Sequence, residues 1–449
     1  METKSLFNAE ETKNCYKVAY HTLGCKLNFA ETSSITKQLN KYGFRSVKEG
    51  EQADLCVLNT CSVTDTADHK CRQAISHLHR IHPNAFIIVT GCYAQLKPEE
   101  LSKIKGVDLV LGVKEKFDYE RYVNIIQTRK NNNGNAQILH TPTKDIRTFS
   151  PSCSFDERTR HFLKIQDGCD YYCSYCTIPF ARGRSRSASI DDTLDITRKI
   201  INDGAKEIVL TGVNLGDFGK QRKENLFQLI QKLDELDYDG RYRISSIEPN
   251  LLTNEIISFV AESKHFTPHF HIPLQSGSNS ILELMKRKYR KELFAEKLLT
   301  IKKLMPNAFI GVDVIVGTRG EKPELFEESM DFIKKMDISQ LHVFSYSERS
   351  GTKALEIPYI VSPIEKKRRS DLLHRLSEFK QKEFYKNNMG KTAVVLWEDV
   401  HKEHNMNGFT ENYIRITAPY DERKVNTFEK IKIGNFSSDS LLSMTKDSL

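Results

Sequence analysis

The chain has 449 residues, of which 39% are hydrophobic and 28% charged, with a formal charge of +8. That composition excludes an intrinsically disordered chain and, at roughly 100–200 residues per domain, predicts about two to four domains. There is no run of about 18 apolar residues to span a bilayer, and the polar N-terminus lacks the apolar core of a secretion signal, so the expected setting is the cytoplasm with no membrane partner. Ten cysteines in a reducing compartment are expected to serve metals or redox chemistry rather than a disulfide framework. The modest positive excess suits a polyanionic partner, and equally an ordinary solvated surface.

Residues 14–128 read as an N-terminal α/β domain. Val18–Leu23, Leu55–Asn59, Phe86–Thr90 and Val107–Leu111 are short apolar runs expected as buried strands, with helices over Ala30–Tyr42, Thr66–Ile81 and Phe117–Gln127. This alternation predicts a parallel sheet with helical crossovers. Cys25, Cys61 and Cys92 each fall just past the carboxyl end of one of these strands, the rim on which parallel sheets bind ligands. Three inert core thiols are the bland alternative, but the repeated strand-end position favours a shared iron–sulfur cluster with one iron left free. Cys56 is expected in the core, while Cys15, Cys71 and Cys153 show no partnering pattern.

Residues 129–160 read as a linker: the run Arg129–Asn135 is polar and turn-forming, and two prolines follow before Cys153. From 161 to 388 six strand signals (His161–Gln166, Glu207–Thr211, Arg243–Ile247, His269–Leu274, Ile310–Val316, Leu341–Ser345) alternate with helices over Ile190–Asn202, Leu226–Leu236, Asn254–Glu262, Leu293–Leu304 and Pro323–Lys335. An incomplete (β/α)6 barrel is predicted, with chemistry at the strand carboxyl ends.

The run Gly168-Cys-Asp-Tyr-Tyr-Cys-Ser-Tyr-Cys-Thr-Ile-Pro179 follows the first of these strands. Three thiolates at this spacing can hold three corners of a 4Fe–4S cubane, and the missing fourth ligand leaves an iron on which a small molecule can bind. A structural zinc site is the competing reading, although no second close Cys or His pair follows downstream. Further strand-end candidates are Thr211–Asn214, Ser246–Pro249, Pro273–Gly277 and Asp313–Gly317; Arg182, Arg184 and Arg186 form a basic run beside the cysteine loop.

Ser362-Pro363-Ile364-Glu365 carries an N-cap serine, a proline at the first helical position and a capping-box glutamate, so a helix begins there, with Leu372, Leu376 and Phe379 as its apolar stripe. Residues 389–449 then show short strands at Thr392–Trp397, Tyr413–Thr417 and Lys430–Ile433, with turns expected at Gly408 and Gly434. A small β-barrel of the kind often used for nucleic acid is predicted.

Along nearly its whole length the chain resembles the methylthiotransferase family of radical S-adenosylmethionine (SAM) enzymes. The resemblance is carried by Leu23-Gly-Cys-Lys-Leu-Asn28, Leu58-Asn-Thr-Cys-Ser-Val-Thr64, Thr90-Gly-Cys-Tyr-Ala-Gln95, the Cys169 loop, and a segment around Gly408–Tyr413 similar to the TRAM RNA-binding module. Lys26 and Ile165-Gln-Asp-Gly168 resemble the branch acting on N6-threonylcarbamoyladenosine in tRNA.

The resemblance implies two 4Fe–4S clusters and SAM: Cys169, Cys173 and Cys176 would bind the cluster that reduces SAM to a 5′-deoxyadenosyl radical, and Cys25, Cys61 and Cys92 an auxiliary cluster carrying the inserted sulfur. Tyr175 is expected at the SAM adenine, and Thr211, Gly212, Asn214 and Gln275 along the SAM pocket. Implied partners are the modified tRNA, a flavodoxin-like or ferredoxin-like electron donor and a sulfur source. Arg182, Arg184 and Arg186 are expected at RNA phosphates or the threonylcarbamoyl carboxylate. Thr318-Arg319 departs from the family's usual Phe-Pro. The alternatives are an enzyme acting on isopentenyladenosine or on a ribosomal-protein aspartate, and, outside enzymes, an iron–sulfur RNA-binding or electron-transfer protein.

Overall fold

In a computed structural model, which describes residues 15–128, 136–154, 159–402, 404–438 and 441–444, the N-terminal apolar runs line up side by side. Strands β1 (Tyr16–Thr22), β2 (Phe44–Ser46), β3 (Leu55–Thr60), β4 (Phe86–Gly91), β5 (Leu109–Leu111) and β6 (Gln137–Leu139) form one sheet in the order β2-β1-β3-β4-β5-β6. All pairs are parallel. Every residue of β3 is buried, because helices cover both faces of a parallel sheet and leave no polar side to the strand. Ile75 and Leu78 of α2 (Asp65–Ile81) pack with Leu58, Ile87 and Val89. Ile35 and Leu39 of α1 (Lys26–Lys41) join Val57 and Ile88 in a second core. Thr64 caps α2 by accepting the Ala67 N–H at 3.1 Å.

The expected linker differs from its reading. Gln137–Leu139 pairs with β5 as the edge strand, and Ser34 on α1 holds the Cys153 N–H at 3.1 Å. Three-residue strands are too short to show alternation, which is why β2 and β6 are missing from the predicted elements. The run Arg129–Asn135 lies outside the described residues.

The chain divides into two units, Met1–Phe155 with Phe180–Gly183, and Asp156–Pro179 with Arg184–Leu449. In the second, six strands run Arg160–Lys164, Glu207–Thr211, Arg241–Ile244, His269–Gln275, Phe309–Val316 and Gln340–Ser345. The first three pair in parallel, as do the last three. Parallel bridges Tyr242–Phe266 and Ser246–His271 join the two halves, and helices separate successive strands: this is the incomplete (β/α)6 barrel.

A closed five-stranded β-barrel follows, built from Thr392–Lys402, Asn405–Thr410, Arg415–Pro419, Phe428–Ser438 and Leu441–Met444. Gly408 and Gly434 lie inside strands rather than at turns. A Cβ at Gly408 would meet the Leu396 carbonyl at 2.6 Å, so this glycine marks a close backbone approach.

The small barrel sits at the amino ends of the first three parallel strands. Glu207 is fully buried between Arg241 (2.5 Å) and Arg243 (2.9 Å). Arg241 continues to the Phe409 carbonyl at 2.9 Å and Arg243 to that of Glu411 at 3.1 Å, while Arg160 pairs with Glu398 at 2.9 Å.

Helix Pro363–Lys386 begins at the expected cap, Ser362 accepting the Glu365 N–H at 3.2 Å. Its buried face is one position off the expected stripe, however. Arg369, Leu373 and Ser377 are inside, and Phe379 is 61% exposed. Arg369 pairs with Glu321 and Glu365 at 2.9 and 2.8 Å, so an ion pair occupies space that periodicity alone gave to apolar side chains.

Candidate active site

The cysteine loop leaves the first barrel strand and is pinched at its base, where Gln166-Asp167 pairs antiparallel with Arg186-Ser187. Gln166 binds the loop to the neighbouring strand end: its Nε2 donates to the Gly168 carbonyl (2.8 Å) and Ser185 Oγ (3.0 Å). Its Oε1 accepts the Val213 and Asn214 N–H groups at 2.9 and 2.8 Å. Tyr172, at φ +51°, turns the chain between the first two thiols.

Each sulfur then receives one N–H donor. Tyr171 N–H points at Cys169 Sγ and Ile178 N–H at Cys176 Sγ, both at 3.4 Å, while Arg287 Nη1 lies 3.1 Å from Cys173 Sγ. Burial pushes the Cys169 and Cys176 thiols up to about 12, and each is raised further by the other cysteines. Cys173 is also raised by burial, with Arg287 opposing. Three buried thiolates that repel one another become stable only around a cation, so donor set and electrostatics fit a cationic iron–sulfur cluster.

Arg287 is the functional residue that motif reading missed. Its side chain is 3% exposed, paired with Glu248 and bonded through Nε to Tyr289 Oη at 3.2 Å. The Tyr175 hydroxyl lies 3.4 Å from Arg287 Nη1, and burial holds that phenol well above its ordinary range. In the sequence it is one basic residue within the run Lys286-Arg-Lys-Tyr-Arg-Lys291, a pattern that solvated surface turns share.

The other strand ends differ among themselves. Thr211 spends its hydroxyl on the Leu163 carbonyl at 3.1 Å. Gly212 passes so close to Gln166 that a Cβ would lie 2.9 Å from its Oε1. Asn214 and Gln275 each keep a buried side-chain oxygen without a hydrogen-bond partner. Gln275 also sits at φ +66° where the pairing register shifts after Pro273. Unpartnered buried acceptors and a left-handed non-glycine residue are uncommon and cluster where ligands bind; a bound molecule's ammonium or hydroxyl groups would satisfy both oxygens.

In the first unit, Cys25 caps α1, Cys61 follows β3, and Cys92 opens the short helix Cys92–Leu96 directly after β4. The parallel register brings these ends together. A Cβ on Gly24 would lie 2.8 Å from Cys61 Cβ, and one on Gly91, at φ +99°, would strike the Thr60 carbonyl. Asn28 clamps the loops, its Nδ2 donating to the carbonyls of Leu23 (2.7 Å) and Thr60 (3.0 Å). Burial raises Cys61 to about 12, and the charges of Cys92 and Cys25 add to it. Burial raises Cys92 too, opposed by Arg182 and Lys116. As in the loop triad, the cysteines lie close enough for their charges to raise one another. Cys71 is not part of the set: it is buried and its Sγ donates to the Cys61 carbonyl at 3.3 Å.

The three arginines are placed differently from the expectation. Arg182 is 1% exposed, donating to Asn28 Oδ1 at 2.7 Å and to Glu31 at 3.0 Å, and Lys116 reaches the same carboxylate at 2.5 Å. Arg186 is 6% exposed and paired with Asp167 at 3.0 Å. Only Arg184, with a side chain 64% exposed and one Asp170 partner at 3.0 Å, presents charge to solvent. Two of the three are thus buried in ion pairs, a use that a basic run does not distinguish from anion binding.

Residues 17–112 match the family described as "Uncharacterized protein family UPF0004" and residues 163–333 the Radical SAM superfamily. The latter match implies SAM and a 4Fe–4S cluster. The chain is 38% identical to the threonylcarbamoyladenosine tRNA methylthiotransferase MtaB of Bacillus subtilis, over 93% of both chains. It is 37% identical to that of Aquifex aeolicus, over 89% of this chain and 96% of the relative. A tRNA-2-methylthio-N(6)-dimethylallyladenosine synthase of Desulfitobacterium hafniense is 28% identical over 96% and 97%. In fold the chain is similar to the radical SAM methyltransferase TsrM from Kitasatospora setae, with a TM-score of 0.53 at 14% identity over 74% of this chain and 75% of that one. No described helix is long and apolar enough to cross a membrane. With its thiol loop on the rim of a partial barrel and this similarity along almost its full length, the chain belongs to the radical SAM tRNA methylthiotransferase family.

Proposed function

We propose that the protein methylthiolates C2 of N6-threonylcarbamoyladenosine next to the anticodon of tRNA, at position 37, in the cytoplasm. The observation that carries this reading is the Cys169–Cys173–Cys176 loop with one N–H donor per sulfur, in a chain most of whose length matches relatives named for this substrate. Bound there, the cluster and SAM supply the electron, radical and methyl group that an unactivated aromatic C–H requires.

The chain's own residues bind and orient. Three thiolates leave one coordination position for SAM, and Arg287 donates to Cys173 while Glu248 balances its charge. Asn214 and Gln275 offer their unpartnered oxygens to SAM, and Tyr175 is assigned to its adenine. Cys25, Cys61 and Cys92 are assigned to an auxiliary 4Fe–4S cluster from which sulfur is transferred, with Arg182 and Lys116 offsetting the negative charge gathered there. Arg184 and the C-terminal β-barrel are the RNA-facing candidates. A flavodoxin-like or ferredoxin-like protein would supply electrons, and a separate donor would restore sulfur.

The test is mass spectrometry of nucleosides from tRNA incubated anaerobically with reconstituted protein, SAM and reductant. One reaction uses threonylcarbamoyl-modified tRNA and a parallel one isopentenyl-modified tRNA. The methylthio product is expected from the first alone. Product from only the second would overturn the substrate assignment, and product from neither the enzymatic one.

A further inference from the structure

Outside both cysteine sites, His271, Asp313 and His342 bring one ligand atom each within 4.8 Å of one another. His271 Nε2 lies 2.6 Å from Asp313 Oδ1, and the two imidazole rings are 4.9 Å apart at 49°. The three residues come from consecutive barrel strands.

Their shared face follows from register. Asp313 is the direct partner of His342, and His271 is the partner of Gly311. Side chains alternate along a strand, so 271, 311, 313 and 342 point to one side. The other side carries Phe270, Ile272, Ile310, Val312, Val314 and Leu341, all buried. By the layering of a (β/α) barrel that apolar side meets the helices, and the His–Asp–His side faces the barrel interior. Gly311 makes room: a Cβ there would lie 3.2 Å from His342 Nε2. His271 and Asp313 keep side-chain exposures of 21% and 17%, so the cluster opens onto space rather than being sealed in core.

Two imidazoles and one carboxylate are a ligand set for first-row divalent cations, leaving coordination positions open. Bonds of about 2.0–2.2 Å hold such ligand atoms roughly 3–4.4 Å apart, so a bound cation would draw in the wider spacings and open the His271–Asp313 hydrogen bond from 2.6 Å. We propose that His271, Asp313 and His342 form a third metal site, for a divalent cation of the Zn2+ or Fe2+ class, with its open positions toward the barrel interior. The site is separate from the six cysteines and does not depend on the tRNA substrate reading.

Zinc binding to the cluster-loaded protein, under anaerobic equilibrium dialysis with metal analysis, tests this directly. Wild type should take up one Zn2+ per chain beyond its cluster iron, and Asp313→Asn and His342→Gln should each bind it at least tenfold more weakly with cluster iron unchanged. Absence of a saturable zinc site in wild type, or equal uptake by variants that retain their iron, overturns the proposal. Should Asp313→Asn lose its clusters through misfolding, His342→Gln, which preserves the Asp313–His271 pair, decides by the same criterion.

Discussion

Cys169, Cys173 and Cys176 lie in one short loop, whereas Cys25, Cys61 and Cys92 are carried to one place by three separate strands of a parallel sheet. The loop triad is organised by neighbours in sequence: two of its three sulfur-directed donors are backbone N–H groups within two residues of the cysteine they serve. The sheet triad is organised by tertiary structure, through the Asn28 clamp, close approach at Gly24 and Gly91, and the buried Arg182–Glu31–Lys116 cluster. One site depends on loop conformation and the other on strand register, so damage to either should be separable.

The strongest separation is chemical. Cys173→Ala should reduce SAM cleavage to background, and Cys61→Ala should keep cleavage to 5′-deoxyadenosine while forming no methylthiolated nucleoside. In each case iron should fall from about eight to about four atoms per chain. Chromatography of the SAM products beside iron analysis reads both, and identical profiles for the two variants would break the distinction.

A control outside both thiol sites is Glu207. Burial alone would raise this carboxyl, but Arg243 and Arg241 hold it well below its ordinary value. Glu207→Gln strands two buried guanidinium groups and should cost about 3–5 kcal/mol, measured by denaturant unfolding of the second unit. For the wild type, a carboxyl depressed in the folded state contributes fully above its unfolded pKa of 4.5, and that contribution is lost as pH falls below it. The difference in stability between wild type and the glutamine variant should therefore shrink on acidification below about pH 4.5.

Strand register is probed by Gly91→Ala. At φ +99° and against the Thr60 carbonyl, the added methyl should cost about 1–3 kcal/mol and deplete iron from the sheet triad while SAM cleavage persists. Loss of cleavage with retained sheet iron would invert the comparison.

The smallest effect expected is on the loop triad's electronics. Arg287→Met removes the side-chain donor to Cys173 and should disfavour the more negative reduced cluster, since hydrogen bonds to sulfur tune the potential. A tenfold lower reduced-to-oxidised ratio at fixed potential corresponds to about 59 mV. Redox titration followed by electron paramagnetic resonance checks it, with Arg287→Lys expected in between. An unchanged potential would reduce Arg287 to a packing role.

Much of this was legible from periodicity and spacing. Helices Ile190–Asn202, Asn254–Glu262 and Pro323–Lys335 have the predicted bounds, because caps and amphipathic repeat are local properties. What stayed hidden was decided by distant contacts: the edge strand Gln137–Leu139, the fate of Arg182 and Arg186 as buried ion pairs, the displaced stripe around Arg369, and Arg287 beneath Cys173. A charged residue reads as surface in sequence; only a partner far along the chain allows it inside.

The two triads are proposed to be independent three-thiolate cluster sites. Mössbauer spectroscopy of 57Fe-reconstituted protein tests it most directly, comparing wild type with a Cys169→Ala, Cys173→Ala, Cys176→Ala triple variant. The predicted result is a 4Fe–4S signal in the variant at half the wild-type iron per chain. A variant with no cluster signal, or one retaining all of the wild-type iron, would contradict it.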